Sequence, residues 1–362
     1  MDLKAATNSM TQELTNKHHI VFGAGLIGCY IGAVLTNLGF TTSLVCRPKV
    51  KENLKAGIKL TDYQNNQLEI PHIQVIDSDK LAQTQQTGKP ADFLWITVKC
   101  TGVEKAAADI APLVSPQTVI FCCQNGLGSD AIVKLLYPNN IVLRVMVPFN
   151  VVELAPGHFH RGSEGHLVTE FDDRCAEMVK SLVALINSPA LPFVTTTDMQ
   201  AMMWAKLQLN LSNSVCALAD IPVKAMLEQR GYRIIIAQLM TELLLVTDLL
   251  DIKLPKLTAV SAHIIPRILR LPDFIFKIVA NKMLAVDPNV RSSMWWDVSQ
   301  GKQTEIEHIN GAILKHATIL NVKCPANEKV TELIMQLTTD SPNNEQLSPP
   351  IKAENLLTMI KL

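Results

Sequence analysis

The sequence predicts two architectures in series: an α/β domain built on a parallel, doubly wound sheet, then an all-helical domain. Three observations carry this. Between residue 20 and about residue 195, short β-rich runs alternate with helical segments, the pattern of parallel strands joined by crossover helices. From about Asp198 the strand runs stop and long apolar-periodic segments take over. At the head of the chain, Ile20-Val21-Phe22 runs into Gly23-x-Gly25-x-x-Gly28 and then an apolar, helix-like segment through Leu35. That strand–turn–helix context gives three spaced glycines a mechanism.

The strands expected are Ile20–Phe22, Thr42–Cys46, Phe93–Val98, Thr118–Cys123 and Ile141–Phe149, all rich in β-branched and aromatic residues. Ala106–Leu113 and Asp130–Leu136 read as helices between them. Gly157–His166, rich in Gly and His, reads as a hairpin turn near the end of the sheet. Helices are then expected over Met199–Leu218, Gly231–Leu250, Ile264–Ala285, Ser293–Gln300, Thr304–Leu320 and Asn327–Leu337. The resulting organisation is a flexible N-terminus (1–17), a nucleotide-binding domain (18–197), a helical domain (198–339) and a tail (340–362). The tail is assigned on the Ser, Pro, Asn and Gln that crowd Asp340–Lys352.

Composition narrows the function classes. Of 362 residues, 48% are hydrophobic and 18% charged, with 33 basic against 33 acidic side chains. No global basic excess argues for nucleic acid. The eight cysteines form no CxxC pair and no zinc spacing, and His158, His160 and His166 make no recognised metal site. The first seventeen residues lack an apolar signal core. The reading is a cytoplasmic protein without structural disulfides and without a metal. Ile234–Leu250, the most apolar long window, carries Glu242 and Asp248 and is too short to span a bilayer comfortably.

The glycine-rich loop expects a dinucleotide. Gly23 would allow the tight turn, Gly25 the approach of a pyrophosphate, and Gly28 close packing of helix on strand. Ala24, Leu26 and Ile27 complete the loop, and the amides that open the following helix would face the phosphates. After the second strand, NAD enzymes place an acid for the ribose hydroxyl. Here that strand ends in Arg47, with Lys49 and Lys51 beyond and no acid before Glu52. A cationic cluster suits a 2′-phosphate, so NADP(H) is expected, with Arg47 as its guanidinium partner.

Four later motifs complete a pattern. The third strand ends in Val98-Lys99-Cys100 and the fourth in Gln124-Asn125-Gly126-Leu127-Gly128. The helical part opens with Trp204-Ala205-Lys206-Leu207-Gln208-Leu209-Asn210. Arg291–Asp297 (RSSMWWD) and Thr304–Gly311 (TEIEHING) follow. In this order and spacing, with the glycine loop, the chain resembles the ketopantoate reductase family from about Ile20 to Leu337. The resemblance implies a Rossmann-type domain plus a helical domain like the C-terminal domain of 6-phosphogluconate dehydrogenase, with the active site in the cleft between them. It implies NADPH-dependent reduction of a 2-oxo acid, 2-dehydropantoate to pantoate, on the route to pantothenate and coenzyme A.

By that resemblance Lys206 is the catalytic lysine, giving the proton and stabilising charge on the carbonyl oxygen. Glu305 matches the carboxylate beside it, and Ser293 the serine that meets the substrate carboxylate. Asn210, one helical turn after Lys206, shares its face and would orient substrate. Asn125 and Lys99 fall at strand carboxyl ends and would sit near the nicotinamide and substrate, with Glu305 also reaching the cofactor. Asp297 is a weaker, supporting candidate. Each has a plainer reading: a surface lysine, a solvated helical Glu, a helix N-cap for Ser293, an Asn-Gly turn.

Two departures bear on the substrate. The family's second Asn, eight residues after the lysine, is Ser214 here, with Asn213 beside it. On one continuous helix Asn213 would lie close to the Lys206 direction and Ser214 about 80° away, so either could touch substrate. The second departure, Leu254–Asn289, lengthens the helical domain. Its centre is amphipathic and basic, with Arg267, Arg270, Lys277 and Lys282. It reads as an interfacial membrane helix or as an extra helical pair that packs on the domain or forms a homodimer contact. Pro266 and Pro272 favour the second reading over a membrane. The competing functions are a paralogue reducing another 2-oxo acid and a non-catalytic NADP(H)-binding regulator. Retention of Lys206, Asn210, Ser293 and Glu305 together argues for an enzyme.

Overall fold

Residues 12–81, 89–284, 288–339 and 350–361 are described by a computed structural model. The chain divides into two units. One runs to Gln124 and resumes from Ser129 to Met199, and the other takes Asn125–Gly128 with Gln200 onward.

The first unit is built on β1 (His18–Phe22), α1 (Leu26–Asn37), β2 (Thr41–Cys46), α2 (Pro48–Asn53), β3 (Ile58–Asp62), β4 (Gln67–Ile70) and β5 (Gln74–Asp77). β6 (Phe93–Ile96), α3 (Val103–Asp109), β7 (Val119–Cys122), α4 (Ser129–Leu136) and β8 (Ile141–Met146) follow. β9 (Val151–Ala155), β10 (His158–Arg161), β11 (Leu167–Glu170), α5 (Ala176–Ile186) and β12 (Phe193–Thr196) complete it. Eight strands form one sheet in the order β12-β11-β8-β7-β6-β1-β2-β5. β5 through β8 run parallel across it, and β11 turns antiparallel against β8. The chain winds outward from β1 on one side to β2 and on the other to β6, which places the topological switch point at the carboxyl ends of β1 and β6. β6 and β7 are buried on both faces, as parallel strands covered by helices must be.

A second sheet, ordered β4-β3-β10-β9, was not expected. It absorbs the segment read as a hairpin turn: only Pro156-Gly157 turns, while His158–Arg161 is strand β10, parallel to β3. Arg161 explains why a polar run can be interior. It is 1% exposed, its guanidinium lies 4.6 Å over Phe149, and it donates to the Ser163, Gly165 and Ala190 carbonyls. The polar N-terminal run is also less free than its composition implied. Residues 1–11 lie outside the described residues, but Leu14 is buried in the core and Lys17 pairs with Asp92 at 3.3 Å.

The second unit holds α6 (Met199–Asn210), α7 (Ser212–Ala219), α8 (Val223–Leu227) and α9 (Arg230–Leu249). α10 (Ile265–Leu269), α11 (Asp273–Val279), α12 (Asn281–Leu284) and α13 (Ser293–Ser299) follow, then α14 (Asn310–Ile319), α15 (Pro325–Thr339) and α16 (Ala353–Met359). α9 is its axis, burying residues on most of its circumference. Glu242 within it is tolerated because its carboxylate accepts the Ala326 and Asn327 amides at 3.0 Å, capping α15. Asn327 also donates to Glu242 at 2.8 Å and accepts from Asn310 at 3.0 Å, so the Asn of the TEIEHING motif is a core lock.

The segment 340–362 is not uniformly a tail. Residues 340–349 lie outside the described residues, but α16 packs on α9 and Leu356 is fully buried. Gly231 permits the approach, since a Cβ there would sit 2.7 Å from Ala353 Cβ. Tyr232 donates to the Ile351 carbonyl at 2.9 Å. The cause is the apolar pair Leu356 and Ile360, one helical turn apart beyond the polar stretch.

The Leu254–Asn289 segment breaks into short helices at Leu271-Pro272 and docks on α9 through Arg233. That side chain has no exposed surface, lies 4.1 Å over Phe276, and donates to the carbonyls of Leu227, Leu269 and Leu271 and to Asp273. Arg233→Met leaves three carbonyls without their donor, a loss of about 3 kcal/mol or more. Hydrogen exchange over residues 265–279 is expected to accelerate while the sheet of the first unit keeps its protection. Unchanged exchange in 265–279 would remove Arg233 as the anchor.

Candidate active site

In the first unit the loop after β1 is shaped by three different glycine requirements. Gly23 has φ +106°, and a Cβ on it would lie 2.8 Å from the Val98 amide nitrogen. A Cβ on Gly28 would lie 2.5 Å from Thr97 Oγ1 and press on the Gly23 carbonyl oxygen. A Cβ on Gly25 would meet nothing within 4 Å. Glycine at 23 and 28 is therefore demanded by the protein itself. At 25 a side chain would fill only outside space, the space a pyrophosphate needs. Gly25 caps α1 with no side-chain cap and no acid in the first turn, so the positive end of the helix is left for an anion. These residues fit a dinucleotide.

The neighbours divide by role. Leu26 and Gly25 are exposed, Ile27 is half-buried, and Gly28 is buried. Ala24 is turned away: its methyl is buried and its amide donates to the Val45 carbonyl at 3.1 Å, so it fastens the loop to β2. Thr97, which the sequence reading missed, donates its hydroxyl to the Phe22 and Gly23 carbonyls at 3.1 and 2.7 Å. Gln124 was missed too. Its amide donates to the Ile96 and Val98 carbonyls at 2.7 and 3.2 Å and fixes the end of β6, where Lys99 is exposed. Nothing in the local sequence marks either residue. Arg47 caps α2 and is exposed beside exposed Lys49 and half-buried Lys51.

In the second unit α6 is buried all round except for a stripe. After Gln200, the positions that stay half-open are Met202, Lys206, Leu209 and Asn210, spaced by three and four residues on one face. Lys206 Nζ donates to Asn125 Oδ1 at 2.7 Å. Asn125 Nδ2 approaches Glu305 Oε2 at 3.5 Å, and Glu305 is buried. The amide thus stands between a cation and a carboxylate, its oxygen toward the ammonium and its nitrogen toward the acid.

The backbone holds that arrangement. Gly126 has φ +75°, and a Cβ there would lie 2.8 Å from the His308 carbonyl carbon. The Leu127 amide donates to the His308 carbonyl at 3.2 Å. The Glu305 carbonyl accepts the His308 and Ile309 amides at 3.0 and 3.1 Å, closing the short turn Ile306–His308. Asn125 and Glu305 are therefore set by two turns tied to each other. The sequence signal for Gly126 was present in the Asn-Gly dipeptide, but not its contact with the distant His308 carbonyl.

One candidate falls elsewhere. Ser214 is fully buried and its hydroxyl donates to the Leu211 carbonyl at 3.0 Å, so it is structural. This agrees with the projection that sets Ser214 about 80° from Lys206, since Leu211 between α6 and α7 keeps helical dihedrals, φ −61° and ψ −25°. The cap of α13 is Ser292, not Ser293. Ser292 accepts the Trp295 amide at 3.1 Å and donates to the Asn213 carbonyl at 3.1 Å. Ser293 is left exposed, and Asn213 is half-buried. Asp297 is buried, and Trp295 donates to Asp220 at 2.6 Å under the Arg291 guanidinium. Among the described residues, no group of three or more His, Cys, Asp or Glu could hold a metal. His158 and His160 instead share the Thr61 hydroxyl, at 3.0 and 2.9 Å.

Comparison with known proteins adds to this geometry. Residues 19–172 match ketopantoate reductase PanE/ApbA, and residues 198–338 match ketopantoate reductase PanE/ApbA C terminal. The 2-dehydropantoate 2-reductase of Archaeoglobus fulgidus is 23% identical over 320 residues, 87% of this chain and 95% of that one. A PanE/ApbA family ketopantoate reductase from Ralstonia eutropha superposes with a TM-score of 0.73 at 24% identity, covering 89% of this chain and 99% of that one. D-mandelate dehydrogenase, solved with NADH and anilino(oxo)acetate, superposes with a TM-score of 0.72 at 18% identity, over the same shares. At these identities the structures show the fold. A dinucleotide loop on a doubly wound sheet and a helical unit with a held lysine define an oxidoreductase of the nicotinamide-dependent class. The two matched regions together span most of the chain, which belongs to the ketopantoate reductase PanE/ApbA family.

Proposed function

We propose that this chain reduces 2-dehydropantoate (ketopantoate) to pantoate with NADPH, the step that feeds pantothenate and coenzyme A synthesis. The observation that carries the reading is the Lys206–Asn125–Glu305 set. A lysine that only solvated the surface would not need a buried carboxylate and an amide to hold its ammonium.

When bound, the nicotinamide supplies a hydride to C2 of the 2-oxo acid. Lys206 gives a proton to the carbonyl oxygen as charge develops there, yielding the 2-hydroxy acid, and solvent restores the lysine proton. Glu305 and Asn125 keep the ammonium in place. Asn210, on the same half-open stripe, orients the substrate, and Ser293 meets its carboxylate. Gly23–Gly28 takes the pyrophosphate; Arg47 takes the 2′-phosphate, and Lys99 lies near the nicotinamide end.

Arg47→Ala is expected to weaken NADPH by about tenfold to a hundredfold and to leave NADH unchanged, read by fluorescence titration of each. An unchanged preference would pass the 2′-phosphate to Lys49 or Lys51. A second reading, another 2-oxo acid, is favoured by Ser214, whose buried hydroxyl cannot replace a substrate-facing amide. The similarity in fold to D-mandelate dehydrogenase makes an aromatic 2-oxo acid the first competitor to assay. The experiment is turnover of NADPH with ketopantoate beside phenylglyoxylate and short aliphatic 2-oxo acids.

A further inference from the structure

The proposed mechanism assigns no step to Leu254–Asn289, and one part of that segment presents an unusual surface. α11 buries Phe276 completely, against the Arg233 guanidinium. Its other side leaves Phe274 70%, Ile278 75% and Val279 53% exposed. Phe274 and Ile278 are one helical turn apart, so their side chains form a single crest. Lys277 is exposed within it and Arg267 is exposed on the preceding helix. Asp273, the acid of α11, is bound by Arg233 at 2.8 Å, so the crest keeps a positive balance.

We propose that this crest docks on an anionic lipid bilayer, with Phe274, Ile278 and Val279 entering the headgroup boundary and Lys277 and Arg267 meeting lipid phosphates. Charge selects this occupant over a second copy of the chain. A two-fold contact brings the patch onto a copy of itself, so a patch with a positive balance would face another of the same sign. Size selects it over a protein partner. Three side chains of a seven-residue helix fall far short of the roughly 800 Å² per side that a stable protein contact needs. A bilayer needs no matching groove, and apolar tips with flanking cations are the chemistry it accepts. No helix among the described residues is long and apolar enough to cross a membrane, so the contact is peripheral.

The test is co-sedimentation of the full chain with vesicles of equal parts phosphatidylglycerol and phosphatidylcholine, beside phosphatidylcholine alone. The wild type is expected to pellet with the anionic vesicles, less at high salt, and not with the neutral ones. Lys277→Glu should lower the partition coefficient by about fivefold or more. Ile278→Asp should abolish binding, and both should keep the wild-type melting temperature because the positions are exposed. Absence of wild-type binding, or variants that bind like wild type, overturns the proposal. So does light scattering that shows a dimer which Ile278→Asp converts to monomer, since the crest would then be a self-contact. None of these readouts depends on turnover, so they stand apart from the reductase reading.

Discussion

Lys206→Ala is expected to lower kcat by about a hundredfold to ten-thousandfold while the Kd for NADPH holds. The asymmetry follows from where the residue stands. Lys206 is on α6 of the helical unit, whereas the phosphate loop and Arg47 belong to the sheet unit. Its ammonium bonds Asn125 at 2.7 Å, and in the proposed mechanism it acts when negative charge appears on the carbonyl oxygen, so its loss would be felt in the transition state. Lys206→Arg keeps the cation but holds its proton too tightly to give it up, so it should recover little of the rate. Stopped-flow single turnovers separate the chemical step from release. Wild-type single-turnover rates in Lys206→Ala would remove the lysine from the mechanism.

Gly126→Ala is expected to cost nearly as much, though Gly126 has no side chain to offer a substrate. Its φ of +75° costs an L-residue about 1–2 kcal/mol, and the added Cβ would press on the His308 carbonyl, a backbone group that cannot step aside. The turn must shift, and Asn125 shifts with it, away from Lys206 and Glu305. A displacement on the order of 1 Å at a catalytic group costs about a hundredfold in kcat. The expected result is that loss in kcat with NADPH affinity retained, and a matching loss in Asn125→Ala. Wild-type kcat in Gly126→Ala would show that the turn does not position the amide.

Local rules exposed much of this in the sequence. The glycine loop was readable because each glycine answers a separate steric need, and the five strands placed from residues 20 to 149 lie in the main sheet because each is a short, strongly β-forming run. What stayed hidden was set by distant contacts. β3 and β10 pair across almost a hundred residues, and β10 is polar enough to pass for a turn until Arg161 finds its carbonyls. Ser292 and Ser293 are chemically identical, and only the start of α13 decides which one caps. Ser214 stayed open because a helical wheel gives a direction only, and its burial and bond to the Leu211 carbonyl are set by packing. The last helix was masked by the polar run before it, although Leu356 and Ile360 carried its apolar stripe.

The most direct measurement is NADPH oxidation by the purified chain with ketopantoate, beside the panel of other 2-oxo acids and with Lys206→Ala in parallel. The account expects turnover that prefers ketopantoate and is lost in the variant. Preference for another 2-oxo acid would keep the lysine chemistry and replace the substrate. Tight NADPH binding without turnover on any acid, or turnover that survives the loss of Lys206, would contradict the account.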